Sequence, residues 1–427
     1  MGMDPLTAWV SALAGPPEGM AMGLERMQAV MARLGLDARL PMPTILVAGT
    51  NGKGSTVATL EAIYAAAGYH TATYTSPHLW RFEERLRLAG RPASADLWQT
   101  HLGRVKDASD ATPLTFFEIS TLAAVLMIAA AAVDVAILEV GLGGRLDAVN
   151  AFTPDCSVIT TVDLDHQAWL GASRAAIGLE KAGILRPLVP AVYGDLDPCS
   201  SVEAQARALN VPLYRLGQDF RMDGDGGGRV WEGWGMRLPV PPSHLSGEGQ
   251  WANIAVAWAS VQLLQNRLPV PVQALTQGTV QLRLPGRCQE LRPWGVAGPI
   301  LLADVAHNPQ AIRQLSAFLA ARKGRGRCHA VVGMLRDKDL SGNLTPLLPL
   351  VDAWHCVNIS DTTRAATAGD LMQVLRVLGV GSSTAHPGVA GAVEEARRGL
   401  GQEDCVLVFG SFHTVSQLPA AWLAEEG

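Results

Sequence analysis

The segment Gly49-Thr50-Asn51-Gly52-Lys53-Gly54-Ser55 places small, flexible residues around one lysine. Such residues let successive backbone N–H groups converge on a phosphate, and a lysine at the head of a following helix can neutralise phosphoryl oxygens. The run departs from G-x-x-x-x-G-K-[ST], because Gly54 follows Lys53 and Ser55 stands one position late, so a nucleotide loop and a purely structural turn are both readings of it. Glu139 lies just before Gly141-Leu142-Gly143-Gly144. A carboxylate there could hold magnesium near phosphates while the glycines admit a substrate, or it could be a solvated acid at a strand end. His166 closes Thr160-Thr161-Val162-Asp163-Leu164-Asp165-His166 and reads as a metal ligand or as a structural hydrogen-bonding group, and Lys181 taken alone reads as a salt-bridge partner. The constellation, more than any one member, carries the chemistry.

These residues need elements to position them. Residues 44–48 form a β-rich run, the glycine loop follows, and a helix-compatible run extends to residue 67, giving strand, loop and helix in order. Further strands are predicted at 69–74, 133–140 and 157–162, with a buried helix at 116–132, as in an α/β sheet covered on both faces. Ligands then belong at loops beyond the strand ends. Between residues 219 and 238 short runs broken by Asp223-Gly224-Asp225-Gly226-Gly227-Gly228 predict a peripheral β-hairpin with a mobile turn, and a helix is predicted at 250–265. A second α/β pattern begins beyond Pro285-Gly286-Arg287, with strands at 300–304, 329–333, 354–357 and 406–410 and helices from Ala311, Ala368 and Val389. The expected domains are therefore 1–284 and 285–427.

The 427 residues are 48% hydrophobic and 17% charged, too apolar for a disordered chain. The polar-free run 122–133 falls short of the roughly 20 residues that span a bilayer, and no basic cluster precedes an N-terminal apolar run. A cytoplasmic protein without a secretory signal is expected. A net charge of -5 argues against nucleic acid as a partner, and the basic stretch 322–327 reads as a solvated helix end and loop. The six cysteines lack the close pairing of a zinc site or disulfide framework and read as reduced thiols.

Taken in order, several segments resemble the folylpolyglutamate synthase family, especially its bacterial form with dihydrofolate synthase activity, within the Mur-type ATP-dependent amide ligases. They are the glycine loop, Thr75-Ser76-Pro77-His78-Leu79, Leu138-Glu139-Val140-Gly141-Leu142-Gly143-Gly144-Arg145-Leu146-Asp147, Leu164-Asp165-His166 and Glu180-Lys181-Ala182-Gly183-Ile184. Distally come Leu284-Pro285-Gly286-Arg287, Asp304-Val305-Ala306-His307-Asn308-Pro309, Gly333-Met334-Leu335-Arg336-Asp337-Lys338-Asp339 and Gly410-Ser411-Phe412-His413-Thr414. The resemblance implies an N-terminal P-loop ATPase-like domain and a C-terminal Rossmann-like α/β domain in a two-domain Mur-ligase-like architecture.

It also implies ATP and two magnesium sites. Gly49, Thr50, Asn51, Gly52, Lys53, Gly54 and Ser55 would cradle the nucleotide, joined by Asn253 near adenine, Arg287 on phosphate, and Asp304 and His307. Metal contacts fall to Ser76, Glu139, His166 and a carbamylated Lys181, whose added carboxylate suits a hard cation. Lys53, Glu139, His166 and Lys181 form the catalytic set. Thr115, Phe117 and Asp147 are assigned to the pterin-bearing substrate, and Ser411 and His413 to the glutamate side. Local roles stay open beside these: a linker salt bridge for Arg287, a helix cap for Asn308, a surface amide for Asn253, helix packing for Phe117, a loop cap for Asp147, and support of the following helix by Ser411 and His413. The implied activity activates a carboxylate with the ATP γ-phosphate and joins it to the amine of L-glutamate, with dihydropteroate and reduced folates as acceptors and a monomer expected. Alternatives are a synthase acting on folates alone and, more remotely, a Mur-type cell-wall ligase. The latter typically carries an extra domain before the nucleotide loop, whereas only about 50 residues precede Lys53. A phosphate-loop kinase would leave the distal motifs without a role.

Overall fold

The structure is a computed structural model that describes residues 4–15, 23–110, 112–225, 228–243, 247–323, 326–360, 362–419 and 421–422. Gly226 and Gly227 of the expected turn, and residues 324 and 325 of the basic stretch, lie outside the described residues. The chain divides into two compact units. One holds the described residues up to Ser243 with Gly249–Leu282; the other holds Gly247, Glu248 and the described residues from Arg283 onward.

The first unit is built on strands β1 (Thr44–Ala48), β2 (Thr71–Tyr74), β3 (Leu86–Leu88), β4 (Arg91–Pro92), β5 (Val135–Glu139), β6 (Cys156–Ile159), β7 (Ala191–Tyr193) and β8 (Leu213–Arg215). Their order is β4-β3-β2-β5-β1-β6-β7-β8, parallel from β2 to β8, with β3 and β4 antiparallel at one edge. Every residue of β1, β5 and β6 is buried, as expected where helices cover both faces and the strands become continuous apolar runs. Ile45, Leu46 and Val47 have no exposed surface, each contributing about 1.5–3 kcal/mol by leaving water, which makes β1 a firm base for the glycine loop at its end. β1 lies between β5 and β6, and the chain leaves it toward β2 on the β5 side. Its carboxyl end is therefore a topological switch point, where a crevice opens.

Helix Lys53–Ala66 begins at that end and is backed by helix Val272–Gln281. The close approach depends on Gly278, whose added Cβ would stand 2.6 Å from the backbone of Ile63. The predicted strand 157–162 stops at Ile159, because Thr160 and Thr161 turn out of the sheet to hold the glycine loop. The region predicted as a hairpin is a three-stranded antiparallel meander of β9 (Phe220–Asp225), β10 (Gly228–Gly233) and β11 (Met236–Val240). Buried Trp231 anchors it to helix Glu248–Leu263, with its indole N–H donating to Ala255 O at 3.3 Å and its ring 5.9 Å from Trp258.

The second unit carries β12 (Gln289–Leu291), β13 (Ile300–Asp304), β14 (Cys328–Val332), β15 (Ala353–Val357), β16 (Ser383–His386) and β17 (Cys405–Phe409). The order is β12-β13-β17-β14-β15-β16, with β12 antiparallel and the rest parallel. The four strands predicted here are its buried centre, and Leu302, Val332, Cys356 and Leu407 form its core with Ile312 and Leu371 from flanking helices. Among the described residues, no helix is long and apolar enough to cross a membrane.

Candidate active site

The glycine loop is pinned from one side. Thr50 N donates to Thr161 O at 2.7 Å, Thr50 Oγ1 donates to Asp163 O at 3.1 Å, and Asn51 N donates to Thr161 Oγ1 at 3.2 Å. Thr160 Oγ1 donates to Asn51 O at 2.6 Å. Gly49 (φ 153°) lies against the Thr160 hydroxyl and Gly52 (φ 89°) against the Asn253 amide, so a Cβ at either would collide as well as strain the backbone. Lys53 opens the helix and folds back on its own loop, donating to Gly49 O at 3.0 Å and Thr50 O at 3.4 Å. The result is a rigid loop with one cation at a helix N-terminus, a preformed anion cradle. Thr160 and Thr161 are the residues that sequence reasoning left without a role; a hydroxyl pair ending a strand beside such a loop is the signal that could have found them.

Glu139 ends β5 and is 5% exposed. Its Oε2 accepts from Ser76 N at 3.3 Å and would lie 3.9 Å from a Cβ on Gly54, so the carboxylate, the Ser76 segment and the head of the Lys53 helix share one space. The bond between Ser76 and Pro77 is cis. Ser76 and Glu139 supply hard oxygen donors, which fit magnesium. Among the described residues no three His, Cys, Asp or Glu side chains are spaced to hold a metal, so a metal bound here would draw on other donors as well.

Lys181 is 3% exposed near the end of helix Arg174–Ala182. Burial, reinforced by the Lys53 charge, pushes its ammonium down to about 7 against the opposing pull of Asp165 and Asp147. A lysine near 7 is substantially a neutral amine at neutral pH, the form that attacks carbon dioxide. The 141–144 loop reaches this helix because Gly144 sits where a Cβ would be 2.7 Å from Glu180 O and 2.9 Å from Lys181 O. His166 takes φ 50° before the short helix Gln167–Leu170, with its N–H donating to Asp165 Oδ1 at 2.8 Å and its ring Nε2 3.8 Å from Asp165 Oδ2. Asp165 thus links the His166 and Lys181 neighbourhoods.

Asp147 has a local task. Its Oδ2 accepts from Leu142 N at 2.9 Å and its Oδ1 from Val149 N at 3.0 Å, closing the glycine turn. Burial pushes its carboxyl up to about 7, although amides of Leu142, Val149 and Gly141 and the charge of Lys53 pull it back. Thr115 caps helix Phe116–Ala130, accepting from Glu118 N at 3.2 Å while Glu118 accepts from Thr115 N at 2.7 Å. The Phe117 ring lies 2.7 Å from where a Gly141 Cβ would be and 6.0 Å from Tyr74, beside the strand end that carries Glu139.

In the second unit Asp304 is 6% exposed and accepts from Cys288 N and Ala306 N, each at 2.7 Å. Burial raises its carboxyl, opposed by the charge of Arg287, whose guanidinium lies 5.6 Å from the Phe412 ring centre. His307 Nδ1 is 2.9 Å from Val305 O, and Asn308 Oδ1 accepts from Ala311 N at 3.0 Å as the cap of helix Pro309–Lys323. Ser411 Oγ accepts from Thr414 N at 3.0 Å, capping the turn that contains half-buried His413.

Residues 286–412 match the family model of the Mur ligase glutamate ligase domain. The dihydrofolate synthase/folylpolyglutamate synthase of Escherichia coli (strain K12) is 38% identical over 97% of this chain and 95% of its own length. Among solved structures, E. coli FolC in complex with DHPP and ADP has a TM-score of 0.88 at 37% identity, covering 97% of this chain and 96% of that one. A bifunctional folylpolyglutamate synthase/dihydrofolate synthase with Mn, AMPPNP and L-glutamate bound has a TM-score of 0.87 at 39% identity over 98% of both chains. The two-domain Mur-ligase-like architecture read from the sequence is the one observed.

Proposed function

Since the chain belongs to the bacterial dihydrofolate synthase/folylpolyglutamate synthase family, we propose that it uses ATP to join L-glutamate to dihydropteroate and to reduced folates. The observation that carries this reading is the convergence of the pinned glycine loop, Lys53, Glu139 and buried Lys181 at one switch point of the first unit's sheet. A free carboxylate is a poor acyl donor. Transfer of the ATP γ-phosphate to it makes an acyl phosphate, the glutamate amine attacks the acyl carbon, and phosphate leaves as the amide forms.

In this reading Lys53 supplies the positive charge that meets the phosphoryl group, and the amides of the Gly49–Ser55 turn orient it. Magnesium at Ser76, Glu139, His166 and carbamylated Lys181 would neutralise phosphate oxygens when bound. Lys181 acquires its carboxylate by attack of its neutral amine on carbon dioxide, which forms the N–C bond and releases one proton. Phe117 gives the pterin-bearing acceptor an apolar wall beside Gly141, and Thr115 and Asp147 hold the wall's two loops as well as edging the pocket. Asn253, Arg287, Asp304 and His307 are assigned to the nucleotide and Ser411 and His413 to glutamate. A cytoplasmic monomer that takes no nucleic acid completes the reading.

The test is product mass spectrometry with ATP, magnesium and glutamate, offering dihydropteroate and a reduced folate in parallel. Extension of both with release of ADP is the expected result. Extension of the reduced folate alone would reduce the enzyme to a folylpolyglutamate synthase, and extension of neither would remove the ligase reading.

A further inference from the structure

Arg85 has no place in the chemistry above, yet it is a buried guanidinium, 6% exposed, at the end of the turn Phe82–Arg85. A charge kept from water must be well partnered. Its Nε donates to His78 Nδ1 at 2.8 Å, its Cζ lies 5.4 Å from the Phe82 and 5.1 Å from the Phe116 ring centres, and the Tyr74 side chain interacts electrostatically with it. Its carbonyl accepts from Thr75 N at 2.9 Å, immediately before Ser76. Residues 75 and 78 are therefore both tied to one arginine, on either side of Ser76 and Pro77. Glu84 fixes the remainder of the same loop, accepting from Leu79 N at 2.7 Å, Trp80 N at 3.0 Å and Arg81 N at 2.7 Å.

A guanidinium only donates, so His78 Nδ1 must offer its lone pair. The neutral ring then carries hydrogen on Nε2, which faces Thr7 Oγ1 at 3.4 Å, and Thr7 Oγ1 donates to Asp4 Oδ2 at 3.0 Å. The loop so held delivers Ser76 N to Glu139 Oε2 at 3.3 Å.

We propose that Arg85 is a positioning residue for the phosphate and metal end of the site: through its guanidinium bond to His78, added to the main-chain bond that its carbonyl accepts from Thr75, it locks the 75–81 loop so that Ser76 stays against Glu139. This rests on the ligase reading for the identity of the site, though the locking itself is a property of the chain alone. Loss of an outer partner of this kind typically costs about 10- to 100-fold in metal affinity or activity.

The experiment compares R85M, R85K, H78F and H78N with the parent protein in two measurements. The first is amide hydrogen exchange of residues 76–81 without ATP or metal; the second is the magnesium concentration for half-maximal ADP formation. R85M and H78F should speed exchange in the loop and raise the magnesium requirement, each by about tenfold or more, with β1 and β5 unchanged. H78N should behave as the parent, because the asparagine Oδ1 can accept where Nδ1 does, and R85K should fall between. Parent-like loop exchange in R85M and H78F would overturn the proposal, as would faster exchange spread evenly over β1, β2 and β5, which marks Arg85 as packing only. If the parent protein itself makes no ADP, the ligase reading falls while the exchange result still decides the role of Arg85.

Discussion

In the first unit half-buried Lys53 joins buried Glu139 and Lys181 as ionisable groups of both signs, and Lys53 helps push Lys181 down to about 7. In the second unit the comparable loops beyond β13 and β17 carry Asp304, Asn308 and Ser411, and each side chain accepts from amides two to sixteen residues away in its own fold. Both regions are motif-dense loops at the carboxyl ends of parallel strands. Burial of like charges stores reactivity, whereas a carboxylate or hydroxyl bonded to nearby N–H groups stores rigidity. Substitutions should therefore separate by readout, with turnover changing most relative to stability in the first unit and stability most in the second.

The largest separation is expected at Lys53. Lys53→Ala should lower ADP formation by about 10²- to 10³-fold while leaving the unfolding midpoint nearly unchanged; an equal fall in stability would merge the two regions. Lys181→Ala should cost about 10- to 100-fold in turnover, with part regained on adding a small carboxylate such as acetate. The pH behaviour sharpens this. After removal of carbon dioxide, reactivation by bicarbonate should proceed above about 7 and fail as pH falls below it, because the protonated amine cannot attack carbon dioxide. A rate independent of bicarbonate at every pH would exclude the carbamate.

Asp304→Ala should destabilise the second unit by about 2–4 kcal/mol, since the amides of Cys288 and Ala306 lose a buried acceptor; unfolding followed by hydrogen exchange in β13 measures it. The smallest effect belongs to Ser411→Ala, about 1 kcal/mol for a lost cap. A raised KM for glutamate beside this loss would support the assignment of Ser411 to the substrate, and an unchanged KM would confine it to the cap.

The buried centres of both sheets were legible. β1 and β13 fall at 44–48 and 300–304 as read, because five consecutive apolar or β-branched residues in the one and four in the other, bounded by turns, can satisfy themselves only inside a covered parallel sheet. β4, β8, β12 and β16 were not, being two to four residues long and mostly half-exposed or exposed, with no periodicity to read. Within the candidate site, the glycine loop and its lysine were proposed from spacing, and the remaining assigned residues from resemblance. The clamp by Thr160 and Thr161 and the anchor at Arg85 were not, since neither stands in a local pattern that differs from ordinary strand ends.

The sequence by itself determined which chemical groups are present, their order, and the strand-loop-helix unit that turns Lys53 into a helix-terminal cation, because backbone geometry and capping are decided within a few residues. Only the tertiary structure decided that Lys181 feels the charge of Lys53 across 128 positions, that Glu139 meets Ser76 across 63, and that Asp147 closes its own turn. Desolvation and Coulomb energy depend on distance in space and on exclusion of water, and neither quantity exists for a residue until the sheet and its helices have closed around it.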